Sequence, residues 1–154
     1  MTNTAISIRK AKQADLSAIV AMLADDALGA KREDASRPLN ACYIDAFHAI
    51  ESDPNQLLAV VEQDEQVIGC LQLSFIPGLS RKGMWRGQIE SVRIASNIRG
   101  GGVGRKMIAW AIDKCRERGC GLVQLTTDKS RADALRFYQS LGFFDSHEGM
   151  KLSL

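Results

Sequence analysis

The sequence predicts one α+β domain over residues 1–154, with a mixed, mostly antiparallel sheet of about six or seven strands flanked by about four helices. Two observations support this fold class. Short runs of alternating apolar side chains, which are typical of strands, are interspersed with segments whose apolar residues recur at helical spacing. Three successive strand-like runs between Leu57 and Ile94 are joined by short turns, which favours antiparallel pairing. The length suits a single hydrophobic core.

The first third of the chain predicts a strand and two helices. Ile6 and Ile8 alternate with polar neighbours and predict the first strand. Helical spacing then predicts a first helix through the apolar residues Leu16, Ile19, Val20 and Leu23. Residues 28–38 are polar, rich in charge and without an apolar period, so they predict an exposed connection that forms either a lid or a solvated surface. A second helix is expected from about residue 39 to residue 50.

The middle of the chain predicts a hairpin, a further strand and a long helix. Residues 57–61 and 67–75 are apolar runs separated by a polar turn, and a second turn over 77–87 leads into a strand at 88–94. Helical spacing resumes from Val103 to Arg118. The apolar face of that helix is expected to contain Val103, Met107, Trp110, Ala111 and Cys115.

The last part of the chain predicts two strands and one helix. Residues 122–126 read as a strand, and the helix before them makes the unit a crossover, so this strand is expected to lie parallel to the strand at 88–94. A last helix over 132–140 ends at Gly142. The alternating apolar residues Met150, Leu152 and Leu154 predict a final strand.

Composition gives no general attraction to nucleic acid or to a membrane. Hydrophobic residues make up 45% of the chain, charged residues 25%, and the net charge is +2. Residues 1–5 lack the basic and apolar regions of a signal peptide, so we expect a cytoplasmic protein. The four cysteines have no C-x-x-C spacing and the two histidines are isolated, so the sequence suggests buried thiols and no metal site.

A glycine-dense turn is the most distinctive local feature. Gly100, Gly101, Gly102 and Gly104 lie between the strand at 88–94 and the helix that begins at Val103. Bare backbone N–H groups at a helix N-terminus favour an anion, so the turn predicts a phosphate-binding site. It is not a P-loop, because Gly104 is followed by Arg-Lys-Met, and it is not the G-x-G-x-x-G dinucleotide fingerprint, because Met107 stands at the third glycine position.

Two motifs carry a resemblance to a known family. The turn reads R-x-x-G-x-G with Arg99, Gly102 and Gly104, and the segment Ala134–Phe143 (ALRFYQSLGF) reads A-x-x-[LF]-Y-x-x-x-G-F. With these motifs and the predicted order of elements, nearly the whole chain resembles the GNAT superfamily of acyl-CoA-dependent N-acetyltransferases. The resemblance implies a GNAT-like fold and acetyl-CoA as the acyl donor.

The resemblance also implies a coenzyme-binding surface. In the family, the matching turn wraps the coenzyme A diphosphate with backbone N–H groups, which here belong to Arg99, Gly100, Gly101, Gly102, Val103, Gly104 and Arg105. The main chain at Val92 and Ile94 is expected to hydrogen-bond the pantetheine arm as if that arm were an added strand. This requires the strands at 88–94 and 122–126 to splay apart.

Two catalytic residues follow from the family positions. Glu90 is the candidate general base, and strand alternation places its carboxylate on the same face as Val92 and Ile94. The alternative is an exposed carboxylate without a role. The N–H of Val92 is the candidate hydrogen-bond donor to the thioester carbonyl oxygen. Tyr138 is the candidate general acid, and the alternative is a core aromatic residue beside Phe137.

Two positions depart from the family pattern, and the acceptor stays open. Arg131 stands where an asparagine is common, and Ser96 where many members have proline. The acceptor is expected to lie among the first two helices, the 28–38 connection and the 77–87 turn, which carry charges of both signs. A small-molecule amine is predicted as the acceptor, and a protein amine is the alternative. The edge strands of the sheet suggest a homodimer. A non-catalytic acyl-CoA sensor is the alternative to an enzyme. A DNA-binding regulator is disfavoured, because basic residues are scattered.

Overall fold

The structure of the protein is a computed structural model that describes residues 5–154. The chain forms two compact units, the first ending at Gln124 and the second running from Leu125 to Leu154. The first unit contains most of the helices and strands and the glycine turn. The second unit contains the helix that carries Tyr138.

Five strands form one sheet in chain order. They are β1 (Ser7–Lys10), β2 (Gln56–Gln63), β3 (Gln66–Ile76), β4 (Arg86–Ile94) and β5 (Leu122–Leu125). The pairs β1–β2, β2–β3 and β3–β4 are antiparallel, and β5 lies beside β4 at the edge of this mixed sheet. The predicted α+β class with a mixed, mostly antiparallel sheet is therefore confirmed, with fewer strands in the described residues than the six or seven expected.

The five α-helices in the described residues are α1 (Leu16–Ala24), α2 (Ala41–Ser52), α3 (Ser80–Gly83), α4 (Val103–Glu117) and α5 (Ala132–Gln139). Four of them follow the predicted order, and the short α3 falls in the predicted turn over 77–87. Asn40 caps α2 by accepting a hydrogen bond of 3.0 Å from the N–H of Cys42. The short α3 lies in the turn between β3 and β4 and is irregular, because Arg81 and Lys82 have φ angles of 53° and 60°.

Helices cover both faces of the sheet. On one face, α1 and α2 bury a cluster that includes Ala11, Leu16, Ile19, Met22, Phe47, Leu58, Val60 and Cys70. On the other face, α4 lies against β4 closely enough that a Cβ added at Gly87 would come within 2.2 Å of Cys115 Sγ. Met107, Ile108 and Ala111 of α4 are almost completely buried. This packing fixes the glycine turn at the end of β4.

The β2–β3 hairpin is longer than the apolar runs predict. Its strands continue to Gln63 and resume at Gln66, so only Asp64 and Glu65 remain in the turn. Both turn residues have positive φ angles, 50° and 62°. Two-residue turns of this hand match the right-handed twist of antiparallel strands, which explains why the pairing extends so far.

The predicted final strand at Met150, Leu152 and Leu154 is wrong. No strand occurs between Gly142 and Leu154 in the described chain, and Met150 and Leu152 are 92% and 87% exposed. Alternation of apolar residues favours a strand only when a neighbouring backbone supplies hydrogen bonds. In the second unit this segment has no such neighbour.

Candidate active site

A β-bulge interrupts β4 at the centre of the predicted site. Ser91 and Val92 of β4 lie opposite the single residue Leu71 of β3, and Ser91 has a φ of 54°. The Ser91 carbonyl accepts a 3.7 Å hydrogen bond from Cys70 Sγ. The bulge changes the face on which every later side chain of β4 lies.

The bulge corrects one expectation about Glu90. Gln72 pairs with Glu90 and Cys70 pairs with Arg93, and because Gln72 and Cys70 share a face of β3, Glu90 and Arg93 share a face of β4. Ile94 pairs with Gly69 and lies on the opposite face. The expectation that Glu90 shares a face with Ile94 is therefore wrong, because it assumed unbroken alternation.

Glu90 is an exposed residue of β4. Its carboxylate forms no hydrogen bond or ion pair with another residue in the part of the chain that the structure describes. A carboxylate in this state is available to accept a proton from a bound amine or from a water molecule.

The glycine turn leaves open space in front of its backbone. Gly100 and Gly102 have φ angles of 91° and 76°, and a Cβ added at either would meet no atom within 4 Å. These backbone conformations favour glycine, and the space that a side chain would fill is free for a ligand. The turn therefore fits the close approach of a diphosphate.

The start of α4 supplies hydrogen-bond donors at the same place. The helix begins at Val103 with Gly102 as its N-cap, so no side chain caps the first turn. The first intrahelical bond runs from the N–H of Lys106 to the Gly102 carbonyl at 3.2 Å. The N–H groups before Lys106 therefore have no acceptor within the helix, and the helix dipole adds positive potential.

Arg99 lies between β4 and the turn. It follows a short 3-10 turn, Ser96–Ile98, and its Nε donates to the carbonyl oxygen of Ile94 at 3.4 Å. Arg99 and Arg105 are both exposed. The turn thus begins and ends with a cation whose side chain reaches solvent, which suits a polyanionic ligand.

An open depression lies beside this region and was not predicted. It has a volume of about 390 Å³ and is lined by Ala21, Met22, Ala24 and Asp25 of the α1 end and by Ala95, Ser96 and Asn97. The end of α1 reads from sequence as an ordinary helix terminus. Only the packing of α1 across the end of β4 reveals the depression.

Arg93 was also missed by sequence reasoning. Its Nη2 lies 3.5 Å from Asp26 Oδ2, its Nη1 donates to the Val92 carbonyl at 2.9 Å, and its Nε is buried without a hydrogen-bond partner among the described residues. Asp26 also accepts from the N–H groups of Leu28 and Gly29. The Arg93–Asp26 pair therefore ties the start of the 28–38 connection to β4.

The 28–38 connection is held at its other end by α2. Tyr43 Oη donates to Glu33 Oε2 and accepts from the N–H of Asp34, both at 2.8 Å. Most side chains of the connection are exposed, as predicted. Two anchors, Asp26 and Tyr43, thus hold a charged segment whose middle is free of the core.

Tyr138 lies near the end of α5 in the second unit. Its half-buried ring makes edge contacts with Phe137 and Phe143, with centroids 5.2 and 5.9 Å away. Arg131 is the exposed N-cap residue of the same helix. The approach of the Tyr138 hydroxyl to a thioester sulfur stays a prediction.

The four cysteines differ in burial, and Cys120 is half-buried. Cys70 and Cys115 are buried, and burial raises the pKa of each thiol to about 12. Cys42 is exposed, so the expectation of buried thiols is wrong for that residue.

Within residues 5–154, no three side chains of His, Cys, Asp or Glu are grouped to hold a metal ion. No helix of that range is long and apolar enough to cross a membrane.

Comparisons with known proteins agree with the geometry. Residues 20–143 match the model of the acetyltransferase (GNAT) family. Aminoalkylphosphonate N-acetyltransferase of Salmonella typhimurium is 32% identical over 105 residues, which are 68% of each chain. Glucosamine 6-phosphate N-acetyltransferase of Trypanosoma brucei brucei is 32% identical over 89 residues, which are 58% of each chain.

A solved structure covers nearly the whole chain. It is the crystal structure of a transcriptional regulator from Bacillus halodurans C-125, which is 49% identical and superposes with a TM-score of 0.95 over 97% of this chain and 100% of that chain. The family match spans most of the sequence, including β4, the glycine turn and α5. The chain therefore belongs to the acetyltransferase (GNAT) family.

Proposed function

We propose that the protein is an N-acetyltransferase that moves an acetyl group from acetyl-CoA to the primary amine of a small-molecule acceptor. The amine would attack directly in a ternary complex. The observation that carries the proposal is the open glycine turn at the start of α4, which fits a diphosphate. Family membership supports it, as do two relatives named for N-acetylation of small amines.

Backbone groups would hold the coenzyme. The N–H groups between Arg99 and Arg105 would bind the diphosphate, with Gly100 and Gly102 leaving room for it. The main chain at Val92 and Ile94 would hydrogen-bond the pantetheine arm. Coenzyme A, when bound, supplies the acetyl group as an activated thioester.

Groups of the protein would transfer the protons and stabilise the developing charge. Glu90 would take a proton from the acceptor ammonium, directly or through water, so that the neutral amine can attack. The N–H of Val92 would donate a hydrogen bond to the carbonyl oxygen as its negative charge grows. Tyr138 Oη would supply the proton that the departing sulfur needs. A bond would form between the nitrogen and the acetyl carbon as the carbon–sulfur bond breaks. From ammonium to amide the acceptor nitrogen would lose two protons, one to Glu90 and a second that replaces the proton Tyr138 gives to the sulfur.

The test is release of free thiol from acetyl-CoA over a panel of primary amines, with mass spectrometry of the amine product. We expect thiol release that depends on one class of amine and an acceptor heavier by one acetyl group. Tyr138→Phe should slow release. Thiol release that needs no amine and is the same in Tyr138→Phe would contradict the transferase function.

A second candidate is a regulatory acyl-CoA sensor, and one observation favours it. The Bacillus halodurans chain that is 49% identical is named a transcriptional regulator. A sensor would bind acetyl-CoA in a calorimeter yet release no thiol with any amine. A gel-shift experiment with DNA, with and without acetyl-CoA, would then show whether the regulation acts on DNA.

The second unit supports a homodimer. Its exposed apolar side chains include Phe144, Met150 and Leu152, which are 81–92% exposed. Large contiguous patches of exposed apolar side chains mark protein–protein contacts. A second copy of this chain would cover them.

A further inference from the structure

A row of polar side chains crosses four strands on the face that carries Glu90. We call it the glutamine floor, and it consists of Gln56 of β2, Gln72 and Ser74 of β3, Gln88 and Glu90 of β4, and Gln124 of β5. Gln56 pairs with Ser74, Ser74 with Gln88, and Gln72 with Glu90. Residues paired across antiparallel strands share a face, and Gln124 reaches Gln88 by a hydrogen bond.

Packing does not explain the floor. Elsewhere on this face, Leu58, Val60 and Cys70 are buried beneath α1 and α2. Four side-chain amides in a half-buried position cost desolvation unless each finds a partner. Apolar side chains at these positions would stabilise the core more than amides do. The amides therefore suggest that this surface binds a ligand.

Only some of the polar atoms of the glutamine floor form hydrogen bonds with one another. Gln56 Oε1 accepts from Ser74 Oγ at 2.8 Å and from Gln72 Nε2 at 3.1 Å. Gln88 Oε1 accepts from Gln124 Nε2 at 2.7 Å. The amide nitrogens of Gln56 and Gln88 and the amide oxygens of Gln72 and Gln124 have no partner among residues 5–154. Uncommitted donors and acceptors thus alternate along the floor.

We propose that the glutamine floor binds hydroxyl groups of the acceptor, so that the acceptor is a hydroxylated primary amine such as an amino sugar or an amino diol. This inference rests on the proposed transferase function. A hydroxyl both donates and accepts hydrogen bonds, as the side-chain amides do. The match holds for either orientation of each amide, because every amide brings one donor group and one acceptor.

Charged acceptor groups fit the floor less well. A phosphoryl or carboxylate group only accepts hydrogen bonds and is recognised best by arginine or lysine. The cation next along this face, Arg93, is already paired with Asp26 and with the Val92 carbonyl. A polyamine would need several carboxylates, whereas the floor contains Glu90 as its carboxylate. Of these acceptor groups, neutral hydroxyls therefore fit the floor best.

Gln72 is the specificity-determining residue in this arrangement. It lies directly opposite Glu90, and side chains paired across strands have Cβ atoms about 5 Å apart. An amine held at Glu90 would therefore place a hydroxyl on the neighbouring carbon over Gln72. An analogue without that hydroxyl would leave the amide unpaired, which is the basis of strong discrimination by polar pockets.

The test compares matched amines with and without hydroxyls. D-glucosamine would be compared with cyclohexylamine, and 2-amino-1,3-propanediol with 2-aminopropane, by kcat/KM for acetyl transfer. We expect wild type to prefer the hydroxylated member of at least one pair by ten-fold or more. Gln72→Met, which keeps the side-chain length, should reduce that preference about ten-fold. Gln66→Met, at the exposed start of the same strand, should leave it unchanged.

The controls separate this inference from the proposed function. Unchanged calorimetric affinity for acetyl-CoA would show that Gln72→Met folds. Equal kcat/KM for both members of each pair would overturn the floor's role while the transferase function stands. A second outcome would also overturn the floor's role. In it, the preference for D-glucosamine 6-phosphate over D-glucosamine exceeds the preference for hydroxylated amines, and Gln72→Met leaves the phosphate preference unchanged. Acetyl-CoA binding without thiol release with these amines or with any other member of the primary-amine panel would overturn both.

Discussion

Gln72 on β3 lies directly opposite Glu90 on β4, and both side chains lie on the same face of the sheet. The pairing places a neutral amide beside the candidate general base, at the strand position just before the bulge. Acceptor specificity and proton transfer would then depend on neighbouring side chains, Gln72 and Glu90. A change at one residue should affect the acceptor preference and a change at the other the dependence on pH.

Glu90→Gln should lower kcat/KM most at low pH. Below neutrality more of the acceptor amine is protonated, so the loss of a base matters more, and general-base residues typically contribute about 10²- to 10⁴-fold. Rates of wild type and variant measured from about pH 6.5 to 9 should diverge as the pH falls. Glu51→Gln, at an exposed position of α2, is the control. A ratio that is constant across this range would clear Glu90 of the role.

Asp15→Asn should lower stability above about pH 4 and have less effect below it. Arg9 donates two hydrogen bonds to Asp15, at 2.7 and 3.0 Å, and these lower the pKa of the carboxyl, as does the N–H of Lys12. Because the folded pKa lies below the unfolded value of about 3.9, the carboxylate stabilises the fold above that value. This stabilisation disappears as the pH falls through the lowered pKa.

Urea unfolding at several pH values measures the effect of Asp15→Asn. Loss of a buried hydrogen-bonded partner costs about 1–3 kcal/mol of the free energy of unfolding near neutrality. Asp113→Asn, in an exposed ion pair on α4, should cost less than about 1 kcal/mol. A difference between wild type and Asp15→Asn that stays the same at pH 3 and pH 7 would contradict the assigned ion pair.

Alkylation should distinguish the cysteines. Cys42 is exposed and should react with iodoacetamide in the native protein, whereas Cys70 and Cys115 are buried with pKa values raised to about 12 and should not. Mass spectrometry of peptides after brief treatment at pH 8 would show this. Labelling of all cysteines after unfolding is the control. Native labelling of Cys70 as fast as Cys42 would contradict the packing of the sheet.

The homodimer should depend on the exposed apolar residues of the second unit. Light scattering should give twice the mass of one chain for wild type, and Leu152→Asp should shift the protein towards the monomer. Leu79→Asp is the matched control, since Leu79 is 97% exposed in the β3–β4 turn of the first unit. A monomeric wild type, or equal effects of both substitutions, would exclude this interface.

The succession of helices and strands could be predicted because each element buries a periodic apolar face. The α4 helix, for example, was expected from Val103 to Arg118 and runs from Val103 to Glu117. Its buried residues include Val103, Met107, Ala111 and Cys115, as expected, whereas Trp110 is only half-buried. Periodicity fails for Met150, Leu152 and Leu154, because alternation does not supply a partner strand.

The glycine turn could be predicted, but the arrangement of side chains around Glu90 could not. Ser91 adopts a positive φ without being glycine, so nothing in the sequence marks the bulge that brings Arg93 to the face of Glu90. The glutamine floor depends in turn on the register of four strands. The spacing of residues within one strand does not reveal which residues of other strands lie beside it.

Calorimetric titration with acetyl-CoA tests the central claim, which is that the backbone of the glycine turn binds the coenzyme diphosphate. Gly102 and Gly119 lie at opposite ends of α4 with φ angles of 76° and 73°, and a Cβ at either meets no atom within 4 Å. Alanine therefore imposes the same backbone strain at both. Gly102→Ala should raise the Kd for acetyl-CoA about ten-fold, which is about 1.4 kcal/mol, whereas Gly119→Ala should leave it unchanged. Equal affinities in the two variants would contradict the claim.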